Sequence, residues 1–285
     1  MPEADRRVAL PEESGRQYHI ALGSGELAEY ILLPGDPERI DLISRRLDAI
    51  ELTRRHREFV SVTGTYRGLR VSAVSTGIGA DNVEIALAEI LAITTRPALV
   101  RVGSCGVLRD DIELGDLVVT TGAVRLESTT SYFVHEAYPA VADYATVAAL
   151  LEAGARRGKL VRLGITATAP GFYGAQGRPI PQLPIRYPDL AEEMRRQGVV
   201  NFEMEGSAVL VLAGLAGCHA GVVCTAFAQR TTGRFLEGEA RERAEADCVD
   251  VGLEALLILA EMDHQVREAG ASHWRPGLWS AGRGS

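Results

Sequence analysis

Residues Phe172 to Arg178, reading FYGAQGR, bring an aromatic ring, a carboxamide and a guanidinium into one short stretch. Phe172 can offer an apolar face or edge. Gln176 can accept from an imide N–H and donate to a carbonyl with the same side chain. Arg178 offers several donors and no acceptor, which suits a second ring carbonyl. That pattern matches a flat pyrimidine such as uracil. A Gly-rich loop carrying Gln and Arg is also what a solvated loop looks like, so the stretch gains meaning only from company elsewhere in the chain.

Three other strings supply that company. LPGDPERI places Gly35 at a turn and Arg39 within the first turns of a helix that starts near Pro37. A glycine lets the backbone approach an anion, and the free N–H groups of a helix start favour negative charge. RVGSCG places Arg101 inside an apolar run with Ser104 beside it. A buried arginine is costly without an anionic partner, either a carboxylate or a ligand. Two arginines, a glycine turn and a hydroxyl make a competent phosphate site. NFEMEGSA sets Glu203 and Glu205 on either side of Met204. Paired acids near a helix start are commonly surface residues compatible with the helix dipole. At the mouth of a sheet they are also natural acceptors for vicinal ribose hydroxyls, with Met204 packing on the apolar face of the sugar.

The elements that must position these residues are legible as short apolar runs. Tyr30 to Pro34, Val71 to Thr76, Ala98 to Gly103, Leu117 to Thr121, Leu163 to Thr168 and Val222 to Phe227 fit strands buried on both faces. Between them lie helical patterns. Asp81 and Glu84 resemble a capping pair ahead of Val83, Ala86, Leu87 and Ile90 at helical spacing. Ala142 to Gly158, Pro188 to Gly198 and a segment from about Phe202 to Gly217 each end in glycine. The alternation predicts a single-domain α/β three-layer sandwich, with a largely parallel or mixed twisted central sheet flanked by helices. Ligands then bind where strands end and helices begin. The domain is expected to span residues 18–264, with 1–17 and 265–285 as flexible tails.

Composition narrows the function classes. The chain has 285 residues, 46% hydrophobic and 24% charged, with a net charge of −8. That acidity argues against a nucleic-acid surface, so an anionic ligand needs a local cluster of arginines. No apolar run approaches the roughly 18 residues that span a bilayer, and the N-terminal segment lacks the apolar core of a signal peptide. A cytoplasmic location without membrane partners is expected. Cys105, Cys218, Cys224 and Cys248 show no CxxC spacing and read as reduced, mostly buried thiols, with no zinc site.

From about His19 to about Glu261 the chain resembles the uridine phosphorylases of the nucleoside phosphorylase I superfamily. The motifs YHIALG, LPGDPERI, HREF, STGIGADN, RVGSCG, GDLVVTTGAVRLE, FYGAQGR, NFEMEG and AFAQRT occur in order and with similar spacing. The resemblance implies cleavage of uridine by inorganic phosphate to uracil and α-ribose 1-phosphate, with no cofactor required. It assigns phosphate to Gly35, Arg39, Arg101 and Ser104, with Arg57 of HREF reaching in from a neighbouring subunit. Ribose falls to Met204, Glu205 and the neighbour's His19, which would touch the 5′-hydroxyl. Uracil falls to Cys105, Gly106, Phe172, Gln176, Arg178, Glu203 and Phe227. Catalysis falls to Arg101, Glu205, Arg178 and Gln176. Self-association as a trimer of dimers with shared sites is implied, and a monovalent cation such as K⁺ at the dimer interface near Glu58 and Ser75.

The chain also departs from the family pattern. Ser104 and Cys105 stand where two threonines are common, Gly177 replaces a frequent Glu, and Pro179 to Tyr187 is a shorter, Pro-rich lid. Purine-cleaving relatives carry an Asp that protonates N7 of the departing base, and the position aligned with it is Gln229. An amide cannot act as a general acid, a role that typically contributes ~10²–10⁴-fold. The alternatives are a phosphorylase for a 2′-deoxy or 5′-modified uridine, thymidine included, a hydrolytic nucleosidase of the same fold, and a non-enzymatic nucleoside-binding regulator. A nucleotide-binding Rossmann unit ranks last, because STGIGADN lacks the third glycine and the downstream acid in register.

Overall fold

The run Tyr30–Pro34 is buried at every position, as a strand covered on both faces must be. The computed structural model describes residues 11–281. In chain order these form β1 (Glu12–Glu13), β2 (Arg16–Gln17), β3 (Tyr30–Pro34), α1 (Glu38–Ser44), β4 (Ala49–His56), β5 (Phe59–Tyr66), β6 (Leu69–Val74) and α2 (Ala80–Ile93). Next come β7 (Ala98–Val107), β8 (Leu117–Arg125), β9 (Ala140–Val141), α3 (Tyr144–Arg156), β10 (Val161–Thr168), α4 (Leu190–Arg196), β11 (Val199–Glu203) and α5 (Gly206–Leu215). The last are β12 (Ala220–Gln229), β13 (Arg234–Phe235), α6 (Gly238–Glu268) and α7 (Pro276–Ala281).

The main sheet is mixed, ordered β13-β12-β8-β10-β11-β7-β3-β6-β5-β4 with β9 on β8. A further pairing of β12 with β7 closes β12, β8, β10, β11 and β7 into a ring. This is possible because β7 changes partner along its length. Its first half pairs with β3 as far as Val102, and its far end pairs with β11 at Gly106 and Val107. The strand β12 follows β7 along its other edge. Helices cover both sides: one apolar cluster joins the sheet to α2 and α5, another to α3 and α6. All four cysteines are free and buried. No helix among the described residues is long and apolar enough to cross a membrane.

Several expectations need correction. The segment from Phe202 does not start a helix: Val199–Glu203 is a fully buried strand paired to β10 and β7, and α5 begins at Gly206. Asp81 and Glu84 do not cap α2. The cap residue is Gly79, at φ +96°, with no side-chain cap bond, and its N–H donates to the Glu205 carboxylate. Asp81 instead accepts from the Thr129 hydroxyl. The expected flexible tails carry structure wherever they are described. Residues 11–17 contain the β1–β2 hairpin, α6 runs on to Glu268, and Trp274 is 8% exposed and packs into the core before α7. Trp274 Nε1 donates to Gln265 Oε1 at 3.1 Å, which ties this segment to α6. Residues 1–10 and 282–285 of those tails lie outside the described residues.

One surface network makes stability depend on pH. Asp143 caps α3, accepting from Thr146 N and Oγ1 at 2.8 Å each, and its Oδ2 lies 3.0 Å from His219 Nδ1. That bond raises the His219 pKa against the effect of burial, with Asp143 and Asp263 charges adding to it. Burial pushes the Asp143 carboxyl up, but the bonds from His219 and Thr146 outweigh it and hold it below its ordinary value. A raised histidine stabilises fully below its unfolded value near 6.5 and loses that contribution as pH climbs through the folded value. Asn at 143 keeps the cap and removes the charge. Asp143→Asn should therefore lower Tm more at pH 5.5 than at pH 8.5, by on the order of 1–2 °C for so exposed a pair. Equal losses in thermal melts at the two pH values would show that the pair contributes nothing.

Candidate functional site

Where β3 leaves β7 and β11 has not yet joined it, residues Gly103 to Cys105 have a strand on one edge only. A cavity of about 780 Å³ opens at this split. Strand ends deliver its walls: Gly35 and Arg39 after β3, Gly77 and Ile78 after β6, Ser104 to Gly106 on β7, Glu203 to Glu205 at the β11–α5 joint, and Phe227 and Ala228 on β12. The loop after β10 adds Phe172, Gln176 and Arg178, and the start of α6 adds Arg241. Thirteen of the fifteen residues assigned from the sequence line this one cavity, the exceptions being His19 and Arg57.

Arg101 is the centre of the site. It is 3% exposed, and the anionic partner that its burial demands proves to be double. Nε donates to Glu203 Oε2 at 3.2 Å and Nη2 to Glu205 Oε2. Burial works against the charge, but the two carboxylates hold the guanidinium firmly protonated. Nη1 is buried with no partner. A Cβ built on Gly35 would stand 3.5 Å from that nitrogen and 3.2 Å from the Gly77 carbonyl oxygen, so the glycine keeps this corner open. Arg39, also buried, is pinned through Nε by Glu245 of α6 and through Nη1 by the Val102 carbonyl at 3.2 Å. Ser104 lines the same cavity. Together they make a corner with hydrogen-bond donors to spare, suited to an oxyanion.

The two acids have different work. Glu203 accepts from Arg101 Nε, from Thr168 Oγ1 at 2.6 Å, and from the backbone N–H groups of Glu205 and Gly206 at 2.9 and 2.8 Å. Its acceptor sites are spent inside the protein. Two of these bonds tie Glu203 to the start of α5, while the residue still lines the cavity. Glu205 accepts from Arg101 Nη2 and Gly79 N–H. Burial pushes its carboxyl up, Arg101 opposes the shift and Glu203 adds to it.

At the other end, Gln176 is 3% exposed in a single 3₁₀ turn. Arg178 Nη1 donates to the Phe172 carbonyl and to Gln176 Oε1, both at 2.6 Å, and its guanidinium lies 3.7 Å from the centre of the Phe172 ring. The loop thus gathers the three residues as its composition suggested. One face of Phe172, however, is covered by Arg178, and the Gln176 oxygen is held by it. Arg230 was overlooked in the sequence, although AFAQRT contains it. It donates through Nη2 to the Gln176 carbonyl, and its side chain packs over Gly106. Burial first, then the Arg230 charge, push the Arg178 guanidinium down to about 10. Arg178 Nε and Arg230 Nε are buried without partners, like Arg101 Nη1. Buried donors at both ends call for a guest rich in acceptors.

Gln229 does not face the cavity. A bulge in the β7–β12 pairing between Ala226 and Ala228 turns Phe227 and Ala228 to the wall. The Gln229 amide bonds to the Ile112 carbonyl at 3.4 Å and to Thr232 Oγ1 at 3.0 Å. Outside the cavity, Arg57 occupies the β4–β5 turn at φ +52° and stacks over Tyr18 at 4.8 Å, and the His19 ring meets Tyr18 edge-on at 4.9 Å. The two residues expected to serve a neighbour thus share one surface patch. The Ser75 hydroxyl, expected near a cation, accepts from Val60 N–H at 2.8 Å and donates to the Glu58 carbonyl at 3.4 Å.

Known proteins align with this architecture. The model of the phosphorylase superfamily matches residues 29–257. A uridine phosphorylase of Thermococcus kodakarensis is 43% identical over 93% of this chain and 95% of its own length. A uridine phosphorylase of Klebsiella aerogenes is 34% identical over 84% and 96%. A crystal structure of a Trypanosoma brucei nucleoside phosphorylase that shows uridine phosphorylase activity superposes with a TM-score of 0.81 at 27% identity, covering 87% of this chain and 99% of that one. A family model that spans residues 29–257, with relatives that match over most of the chain, means that the chain belongs to the phosphorylase superfamily.

Proposed function

We propose that the chain catalyses the phosphorolysis of uridine, in the cytoplasm. The observation that carries this reading is the buried, unpartnered Nη1 of Arg101 beside Gly35, in one cavity with the Gln176–Arg178 pair. Phosphate takes the corner of Gly35, Arg39, Arg101 and Ser104, with the partner subunit's Arg57 closing it. Ribose lies on Met204 and Glu205 and reaches the partner subunit's His19. Uracil lies against Cys105, Gly106, Phe172 and Phe227. Arg178 moves off the Gln176 oxygen to meet a ring carbonyl, and this frees Gln176 for the imide.

The C1′–N1 bond lengthens, and its electron pair leaves with the base and spreads onto O2 and O4. Arg178 and Gln176 donate to those oxygens where the charge develops. A phosphate oxygen then bonds to C1′ from the opposite face, giving α-ribose 1-phosphate. Glu205 fixes the sugar, and the negative phosphate favours the oxocarbenium-like centre. Departing uracil takes up its charge on oxygen and needs no N7 proton donor, and the wall at Phe227 and Ala228 supplies none. Assembly in dimers, arranged as a trimer, with K⁺ near Glu58, belongs to the same proposal.

Uracil release from uridine should require phosphate and yield ribose 1-phosphate. Equal release in phosphate-free buffer would identify a hydrolase instead. Arg178→Ala and Gln176→Ala should each lower kcat/KM for uridine by roughly 1–3 kcal/mol, and inosine should be a poor substrate for the parent. Inosine cleavage as fast as uridine cleavage would refute the choice of base. Sharing of sites can be tested by co-expressing Arg101→Ala with Arg57→Ala chains, each expected to be nearly inactive alone because either removes a phosphate-binding cation from every site. Random pairing makes about half the dimers mixed, each with one intact site, so roughly a quarter of parental activity should return. Mixed dimers as inactive as the single variants would place Arg57 outside the neighbouring site.

A further inference from the structure

His19 is held far more firmly than a surface loop requires. Its backbone N–H donates to both oxygens of Glu89, at 3.0 and 2.9 Å, and the Ile20 N–H donates to Glu89 Oε2 at 2.8 Å. Its ring Nδ1 lies 2.7 Å from Glu89 Oε1. The His19 carbonyl accepts from His56 Nδ1 at 2.9 Å. The Glu89 side chain is 4% exposed, whereas the imidazole is 27% exposed. Two backbone N–H groups converging on one buried carboxylate identify it as an acceptor, and a carboxylate beside Nδ1 requires that nitrogen to carry the proton. In the neutral ring Nε2 is then left with a lone pair on the exposed side. The loop that carries His19 also stores strain. Ala21 adopts φ +53°, closing the turn through its N–H to the Gln17 carbonyl at 3.0 Å.

We propose that Glu89 is a positioning residue for recognition of the nucleoside's 5′-hydroxyl. It locks His19 in the Nδ1–H tautomer, so that Nε2 accepts from that hydroxyl in the partner subunit's cavity, an assignment that rests on the function proposed above. The placement of Glu89 supports a link between sites. It stands on α2, whose first N–H groups begin at Gly79, the donor to Glu205 of its own cavity. At ~1.5 Å per residue the two lie about 15 Å apart on one rigid helix. One helix therefore orients the sugar acceptor of its own site at one end and the histidine lent to the neighbour further along.

The test compares uridine with 5′-deoxyuridine, which lacks the hydroxyl, at saturating phosphate. In Glu89→Gln an amide N–H facing Nδ1 favours the opposite tautomer and puts the proton on Nε2. The preference of the parent for uridine, as a ratio of kcat/KM values, should fall about tenfold or more, because uridine cleavage drops while 5′-deoxyuridine cleavage holds within about twofold. His19→Ala should erase the same preference, and the double variant should be no worse on uridine than His19→Ala alone. Equal losses on both nucleosides in Glu89→Gln, or losses that multiply in the double variant, would overturn the proposal. Should Glu89→Gln not fold, His19→Ala decides: an unchanged uridine preference there also overturns it. A parent that releases uracil from neither nucleoside would overturn the functional reading itself and not the role of Glu89.

Discussion

Arg101 is a full positive charge placed inside a β-sheet, and the site is organised around making that tolerable. Removing an ion from water costs several kcal/mol even after relaxation, so it survives only with excellent partners. Glu203 and Glu205 provide them, and both are themselves tied down. Glu203 spends its remaining capacity on Thr168 and on the first N–H groups near α5, where a carboxylate also complements the helix dipole. Glu205 reaches across to the start of α2. The triad therefore fastens β7, β11, α5 and α2 to one another. It leaves a single guanidinium nitrogen unsatisfied, and that nitrogen borders the cavity beside Gly35.

The cavity itself follows from strand pairing. A strand fully paired on both edges has no room for a ligand at its backbone, and an unpaired edge is costly unless something else covers it. β7 resolves this by exchanging β3 for β11 partway along, leaving Gly103 to Cys105 open on one edge only. The continuous pairing with β12 on the opposite edge keeps the open stretch rigid. Binding groups mounted on strand ends in this way hold their geometry better than groups on free loops.

Charge is distributed along the cavity with the same economy. Although the chain carries a net charge of −8, both ends of the cavity are lined by guanidinium groups. Arg101 and Arg39 are held by carboxylates, whereas Arg178 and Arg230 have no ion pair among the described residues. The end at Arg101 and Arg39 is thus compensated and fixed, and the end at Arg178 and Arg230 is left electropositive. A leaving group that becomes negative only as its bond breaks gains most from such an uncompensated end.

The sequence by itself determined the buried strands and the chemistry of the site. Continuous apolar runs have no solvent-facing alternative, and an arginine among them must find an anion. FYGAQGR could likewise be read locally, because its residues act together through a single turn. What the sequence left open depended on distant partners. β4, reading AIELTRRH, has no apolar run because it is an edge strand whose side chains face solvent. β11 could pass for the start of a helix, since its strand character comes from pairing with β10 and β7. Gln229 is the position that the family resemblance aligns with the purine-specific Asp, but a bulge in β12 brings Phe227 and Ala228 to the wall instead. The four bonds of Glu203 within the protein depend on partners that no local pattern announces. Arg230 and Glu89 carried no local signal, since each acts on a residue more than fifty positions away in the chain. Only the tertiary structure decides such cases, because which lone pairs and which N–H groups remain unspent is a property of the packed chain and not of any segment of it.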